Sequence, residues 1–319
     1  MNLGSVSIQL IQSCLRNEGL LLRVGPMLAR LRSNVPALPG MLQQVYGEFP
    51  WIGHAEFIDF DVALLRSAGW RRYVHPQVEF WVDRERPFEP FPLDTPLPLL
   101  EWGLNWCVGR TCNNLLLLHA GVVARDTHAL ILPALPGSGK STLTAAFTLR
   151  GWRLLSDEFG AIRLKDCSVL PMPRPIALKN ASIEAIRAFA PEAVIGPSFP
   201  KTRKGTVAHL APDRHGVDGI DLPASPRLIL FPSYRAGGDI VIEPIGKSRA
   251  MLKLAANSFN YELLGPSGFL ALKRIVESTP CFRLGFGRLD DAIAAAAELF
   301  DNPEAFLAAR RDCVACLPD

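Results

Sequence analysis

The segment Ala134-Leu135-Pro136-Gly137-Ser138-Gly139-Lys140-Ser141-Thr142 is the part of this 319-residue chain best equipped for chemistry. Gly137 and Gly139 let the backbone approach an anion closely. Successive N–H groups and the start of a following helix then face that anion. Lys140 has the length to reach β- and γ-phosphates, and Ser141 offers a hydroxyl to Mg²⁺. The window follows the phosphate-loop pattern G-x-x-x-x-G-K-[ST], with Ala134 in place of the first glycine. These residue types predict that Pro136, Gly137, Ser138, Gly139, Lys140, Ser141 and Thr142 bind ATP with Mg²⁺.

Two acids, Asp157 and Glu158, follow Leu154-Leu155, about one helix and one strand later. An acid on a neighbouring strand commonly holds the metal in such folds. Adjacent residues of an extended chain point to opposite sides, so the two acids need not share a role. One can hold Mg²⁺ with Ser141 while the other takes a proton from an incoming hydroxyl. His119 lies within the apolar run Leu115 to Val123. Such a histidine is ordinarily a satisfied core residue, and the local sequence leaves core and catalytic roles both open.

Positioning these groups requires a strand over Ala129 to Leu132, a helix over Ser141 to Arg150, and strands over Leu115 to Ala124, Trp152 to Leu155 and Phe159 to Leu164. Earlier, alternation over Ser5 to Leu10 and the run Leu20 to Val24 predict strands, as do Phe57 to Val62 and two segments within Trp70 to Val82. A short helix is expected over Pro39 to Tyr46. Five prolines between Pro87 and Pro98 exclude a helix interior or central strand and mark a linker. The chain then divides into a β-rich α+β region over 1–95 and an α/β region over 96–319. In the second region, helices are expected over Leu99 to Val108, Ser182 to Ala190, Ser248 to Ala256, Gly268 to Ser278 and Leu289 to Phe300. Strands are expected over Arg227 to Phe231 and Ile240 to Ile242, and Pro191 to Pro226 is expected to be mostly loop.

With 34 basic and 31 acidic residues the net charge is only +3, which gives no basis for bulk electrostatic binding to nucleic acid or membrane. No apolar run is long enough to span a bilayer, and the first residues lack a signal-peptide pattern, so a cytoplasmic protein is expected. The seven cysteines show no disulfide framework, and Cys313-Val314-Ala315-Cys316 is a single unmatched pair.

Taken together, His119-Ala120-Gly121-Val122-Val123, the phosphate loop and Leu154-Leu155-Ser156-Asp157-Glu158 resemble the HPr kinase/phosphatase family. Three segments are similar to its HPr kinase-related kinase A branch. They are Glu101-Trp102-Gly103-Leu104-Asn105-Trp106, Gly151 to Phe159, and Lys201 to Leu210. The resemblance implies a P-loop kinase domain related to phosphoenolpyruvate carboxykinases, with ATP-Mg and phosphoryl transfer to a serine hydroxyl. It implies that Asp157 is the catalytic aspartate, His119 an active-site histidine and Lys140 the lysine that stabilises transferring charge. Glu158 stands where the family has a second aspartate and is expected, with Ser141, to hold the metal; Thr142 replaces the acid after the P-loop serine. Arg174 and Lys179 are candidates for phosphate contact, as are Lys201, Arg203 and Lys204 for phosphate or acceptor. The expected activity is an ATP-dependent kinase of a protein or peptide serine, and a homo-oligomer is compatible with the resemblance. A small-molecule kinase and a nucleotide-binding regulatory module are the alternatives.

Overall fold

A computed structural model describes residues 1–69, 73–135, 137–304 and 306, and of Lys201 the backbone alone. The chain opens with a 3₁₀ turn (Leu3–Ser5), then α1 (Ile8–Arg16), β1 (Leu20–Val24), β2 (Met27–Ser33), α2 (Leu38–Val45), β3 (Phe60–Arg66), β4 (Gln77–Val82), β5 (Phe91–Pro92) and α3 (Pro96–Thr111). Next come β6 (Leu115–Arg125), β7 (His128–Pro133), α4 (Lys140–Thr148), β8 (Arg153–Ser156), β9 (Phe159–Arg163) and β10 (Val169–Leu170). They lead into β11 (Ile176–Lys179), α5 (Ala181–Phe189), β12 (Phe199–Thr202), β13 (Gly205–Leu210) and α6 (Arg214–Asp218). The last stretch holds β14 (Ser225–Tyr234), β15 (Val241–Pro244), α7 (Lys247–Ala256), α8 (Tyr261–Leu264), α9 (Pro266–Ser278), β16 (Cys281–Phe286) and α10 (Leu289–Asp301).

The chain is mixed α/β and forms two compact units. Unit one comprises Met1–Cys112 and Pro171–Asp221; unit two comprises Asn113–Leu170 and Leu222–Asp319. The expected break after residue 95 falls inside unit one. Helix α3 belongs there because Gly103 lets the Phe80 ring of β4 lie directly against the helix backbone. Among the described residues no helix is long and apolar enough to cross a membrane.

Unit one holds a five-stranded sheet, β1-β2-β3-β4-β5, antiparallel except for the β2–β3 pair. Its second sheet, β11-β13-β12, is antiparallel. This second sheet corrects the expectation of loop over Pro191 to Pro226. Val207-Ala208-His209-Leu210 is fully paired with β11 and buried. The expected strand at Ser5 to Leu10 is also corrected. Ser7 caps α1 by accepting from the Leu10 amide at 3.3 Å, and Ile11 and Leu15, four residues apart, are buried. The proline-rich stretch holds the two-residue strand β5 and the first turn of α3, where Pro96 and Pro98 are tolerated. Of the two strands expected within Trp70 to Val82, β4 forms the second; residues 70–72 lie outside the described residues.

Unit two is built on a mixed sheet of order β10-β9-β6-β7-β14-β16-β15, with β8 also paired to β6. Strands β7, β14 and β16 run parallel. The even-numbered residues Leu116 to Ala124 of β6 pack with Ile131, Ile229, Leu254, Leu272 and Ile275 into a core under α7 and α9. The odd-numbered Gly121 faces the other way, towards α4. Strand β16 and helix α8 have no counterpart among the sequence expectations.

Candidate active site

Strand β7 delivers the chain to a loop over residues 134–139, and α4 begins at Lys140. The loop needs its glycines. Gly137 and Gly139 adopt φ of +86° and +87°, a region that L side chains rarely enter. A Cβ on Gly139 would also stand 3.0 Å from Tyr234 and 3.1 Å from Phe286. The Ser138 hydroxyl donates to Leu135 O at 2.8 Å, and the Tyr234 amide donates to Ser138 O at 3.1 Å, which ties the loop to β14. The helical ladder of α4 opens with the Leu143 amide on Gly139 O at 2.9 Å. The amides of Lys140, Ser141 and Thr142 therefore precede the ladder, at the positive end of the helix dipole. Pro136 lies outside the described residues.

Helix α4 sits very close to β6. A Cβ on Gly121 would collide with the Thr144 hydroxyl, which itself donates to Lys140 O at 3.0 Å. This close approach aims the Lys140 side chain along the sheet towards Asp157. The ammonium donates to the Asp157 main-chain carbonyl and meets its Oδ1 at 3.2 Å. Both side chains are sealed, at 8% and 7% exposure. Burial lifts the Asp157 carboxyl above its ordinary value; Lys140 opposes this, Glu158 adds to it, and hydrogen bonds from Ser141 and Lys140 oppose it.

The bend that separates the two acids is built into β8. Val122 faces Ser156 while Val123 faces Leu154, so Leu155 is an extra residue in the pairing. Such bulges re-aim the residues that follow. The Ser156 hydroxyl then accepts from the amides of Glu158 and Phe159 and shapes the turn into β9. Glu158 emerges beside His119, with Oε1 at 3.6 Å from Nε2. His119 is only 23% exposed, and its ring meets Phe259 edge-on at 5.4 Å.

Lys140, Ser141, Asp157, Glu158 and His119 therefore converge in unit two. Ser141 helps to lower the raised Asp157 carboxyl, whereas the acid expected to hold the metal with it, Glu158, turns to His119. The fit to Mg²⁺ rests on the Ser141 hydroxyl, an oxygen donor of the kind that such an ion takes beside phosphate and water oxygens. Among the described residues no three His, Cys, Asp or Glu side chains cluster to hold a metal. Thr142 is half-buried in the first turn of α4 and adds no charge.

The remaining candidates belong to unit one. Arg174 is buried and engaged there, bonded to Asn105 and paired with Glu101 at 3.5 Å. Glu101 in turn accepts from the Tyr46 hydroxyl. Arg174 was a candidate for phosphate contact; its guanidinium is paired with a buried acid. Lys179 ends β11 half-buried. Arg203 and Lys204 lie exposed at the β12–β13 turn, over the Trp102 ring at 6.0 and 5.9 Å. The side chain of Lys201 lies outside the described residues.

Residues that sequence reasoning passed over are Gly121, Thr144 and the segment Asn257-Ser258-Phe259-Asn260. The two asparagines flanking the end of α7 were a visible helix-stop signal. A cavity of about 640 Å³ lined by His128, Ser225, Arg227, Ser278 and Asp301 opens at the start of β7, the opposite end of that strand from the glycine loop. The chain matches no family model and no curated protein.

Proposed function

We propose that this chain is an ATP-dependent kinase that transfers the γ-phosphoryl group to a serine hydroxyl of a protein or peptide. In this reading unit two is an HPr kinase-like P-loop domain. One observation carries the proposal: the lysine that opens α4, after a loop with two left-handed glycines, meets a buried carboxylate at 3.2 Å. Lys140 and the amides before the α4 ladder would hold the charge on the transferring group. Ser141 would hold Mg²⁺, which when bound would supply charge neutralisation at the phosphates. Asp157 would accept the proton of the acceptor hydroxyl as its oxygen forms the new bond to phosphorus. Burial raises the carboxyl towards the working range of a general base. Glu158 would orient His119 beside the incoming hydroxyl.

A nucleotide-binding regulatory module is the second reading. It is favoured by the mutual satisfaction of Lys140 and Asp157, which seal one another from solvent. Incubation with labelled ATP-Mg and cell extract separates the readings. A kinase labels a protein band, and Asp157→Asn removes the label while ATP still binds. Binding of ATP without labelled product supports the module. Label confined to the small-molecule fraction overturns the protein-kinase reading in favour of a small-molecule kinase.

A further inference from the structure

Helix α7 ends at Ala256 with Asn257 as its cap, and the chain does not turn helical again until Tyr261. The gap is laced along β6. The His119 amide donates to Asn257 O at 2.7 Å, and Asn257 Nδ2 donates back to His119 O at 2.7 Å. Leu117 O accepts from the Ser258 hydroxyl at 3.0 Å and the Phe259 amide at 2.9 Å. Asn260 takes the Leu117 amide on Oδ1 at 2.9 Å and gives Nδ2 to Leu115 O at 2.8 Å. Main-chain groups and two asparagines thus fix the segment, and the Phe259 side chain makes none of these bonds.

That side chain is nevertheless a large ring left 50% exposed. It lies against His119 at 5.4 Å and Phe159 at 4.8 Å. The side chains of His119 and Glu158 beside it are 23% and 31% exposed, against 8% for that of Lys140. The following helices α8 and α9 also carry exposed Leu263, Phe269 and Leu270, at 70%, 47% and 48% exposure. Exposed apolar surface next to the candidate reacting groups marks where a partner is held, and in the kinase reading that partner is the polypeptide that carries the serine.

We propose that Phe259 is the acceptor-side wall of the site and selects a polypeptide with a large apolar side chain beside the phosphorylated serine. The proposal rests on the kinase reading above. The test uses an oriented peptide library with one fixed serine and degenerate flanking positions, labelled with ATP-Mg by wild type, Phe259→Ser and Phe259→Leu. Wild type should enrich Leu, Ile, Met or Phe at one flanking position. Phe259→Ser should lose the enrichment and raise KM for the best peptide about tenfold, the equivalent of about 1.4 kcal/mol of apolar contact, with kcat little changed. Its affinity for ATP-Mg, read by calorimetry, should match wild type, and Phe259→Leu should restore selection. Unchanged selection in Phe259→Ser, or phosphorylation without apolar preference, overturns the proposal alone. Weakened ATP-Mg affinity in Phe259→Ser also overturns it, by assigning the ring to the nucleotide. Failure of wild type to label any peptide or protein overturns the kinase reading and this proposal with it.

Discussion

Asp157 and Glu158 are adjacent in the chain yet serve different neighbours: Asp157 turns inward to Lys140 at 3.2 Å, and Glu158 turns outward to His119 at 3.6 Å. The Leu155 bulge gives one dipeptide these two environments. Asp157 is buried and its carboxyl is raised; Glu158 stays 31% exposed. The pair thus offers one sealed carboxyl and one accessible carboxyl.

Asp157→Asn should lower phosphoryl transfer by about 10² to 10⁴, the usual worth of a positioned general base. Lys140 keeps an oxygen partner in the amide, so ATP binding should persist. Single-turnover transfer and calorimetry on the same preparation check both halves.

The pH profile of transfer should place its acid limb above the ordinary carboxylate value of 3.8, because burial holds the Asp157 carboxyl protonated to higher pH. Activity should rise as pH rises through that raised value. Glu158→Gln removes a neighbouring negative charge that helps raise it, so the limb should move to lower pH.

Gly121→Ala should disturb the site without touching a reacting group. The new methyl would meet the Thr144 hydroxyl and drive α4 away from β6. Overpacking of this kind costs about 1–3 kcal/mol. Thermal unfolding should report the loss, ATP affinity should fall with it, and Gly121→Ala combined with Thr144→Ala should recover much of both.

Arg174→Met should act on stability. The change leaves Glu101 buried beside Tyr46 without its cation, at a cost of about 3–5 kcal/mol. Denaturant unfolding checks this, and the double change with Glu101→Leu should be milder than Arg174→Met alone.

His209 is buried in β13, with Nδ1 lacking a partner among the described residues. Desolvation, with Arg174 and Lys179 nearby, brings its pKa from 6.5 down to about 3. A depressed folded pKa means that the unfolded chain binds the proton first. The stability that His209 contributes is therefore present above pH 6.5 and is lost as pH falls towards 3. Between pH 7 and 4 the loss is on the order of 3 kcal/mol. His209→Phe should flatten that part of the stability curve measured by urea unfolding.

Much of the site could be read from short patterns because its chemistry is local. The glycine loop, the helix after it and the strand before it follow from Gly137, Gly139, Lys140 and the apolar run Ala129 to Leu132. The divergence of Asp157 and Glu158 was expected from strand alternation, but it comes from the Leu155 bulge and the turn between β8 and β9. Arg174 and His209 were not legible in this way. One resembles an exposed basic residue and the other a loop residue until pairing with Glu101 and with β11 buries them. The platform at Phe259 depends on bonds from Asn257 and Asn260 to residues about 140 positions earlier, which no local window contains. Helix α1 was misread because Ser7 supports both a two-residue alternation and a helix cap, and the burial of Ile11 and Leu15 decides between them.

The division of the chain has a consequence for synthesis on the ribosome. Unit one is complete only when Asp221 has emerged, although residues 113–170 leave the ribosome in between. Strand β7 and the glycine loop after it are made before β14, the parallel neighbour of β7, and before β16 beyond it. A nascent chain stalled near residue 170 would expose β7 with one edge bare, a state prone to wrong pairing. Chaperone demand during translation should accordingly peak between the emergence of β7 and the arrival of β14.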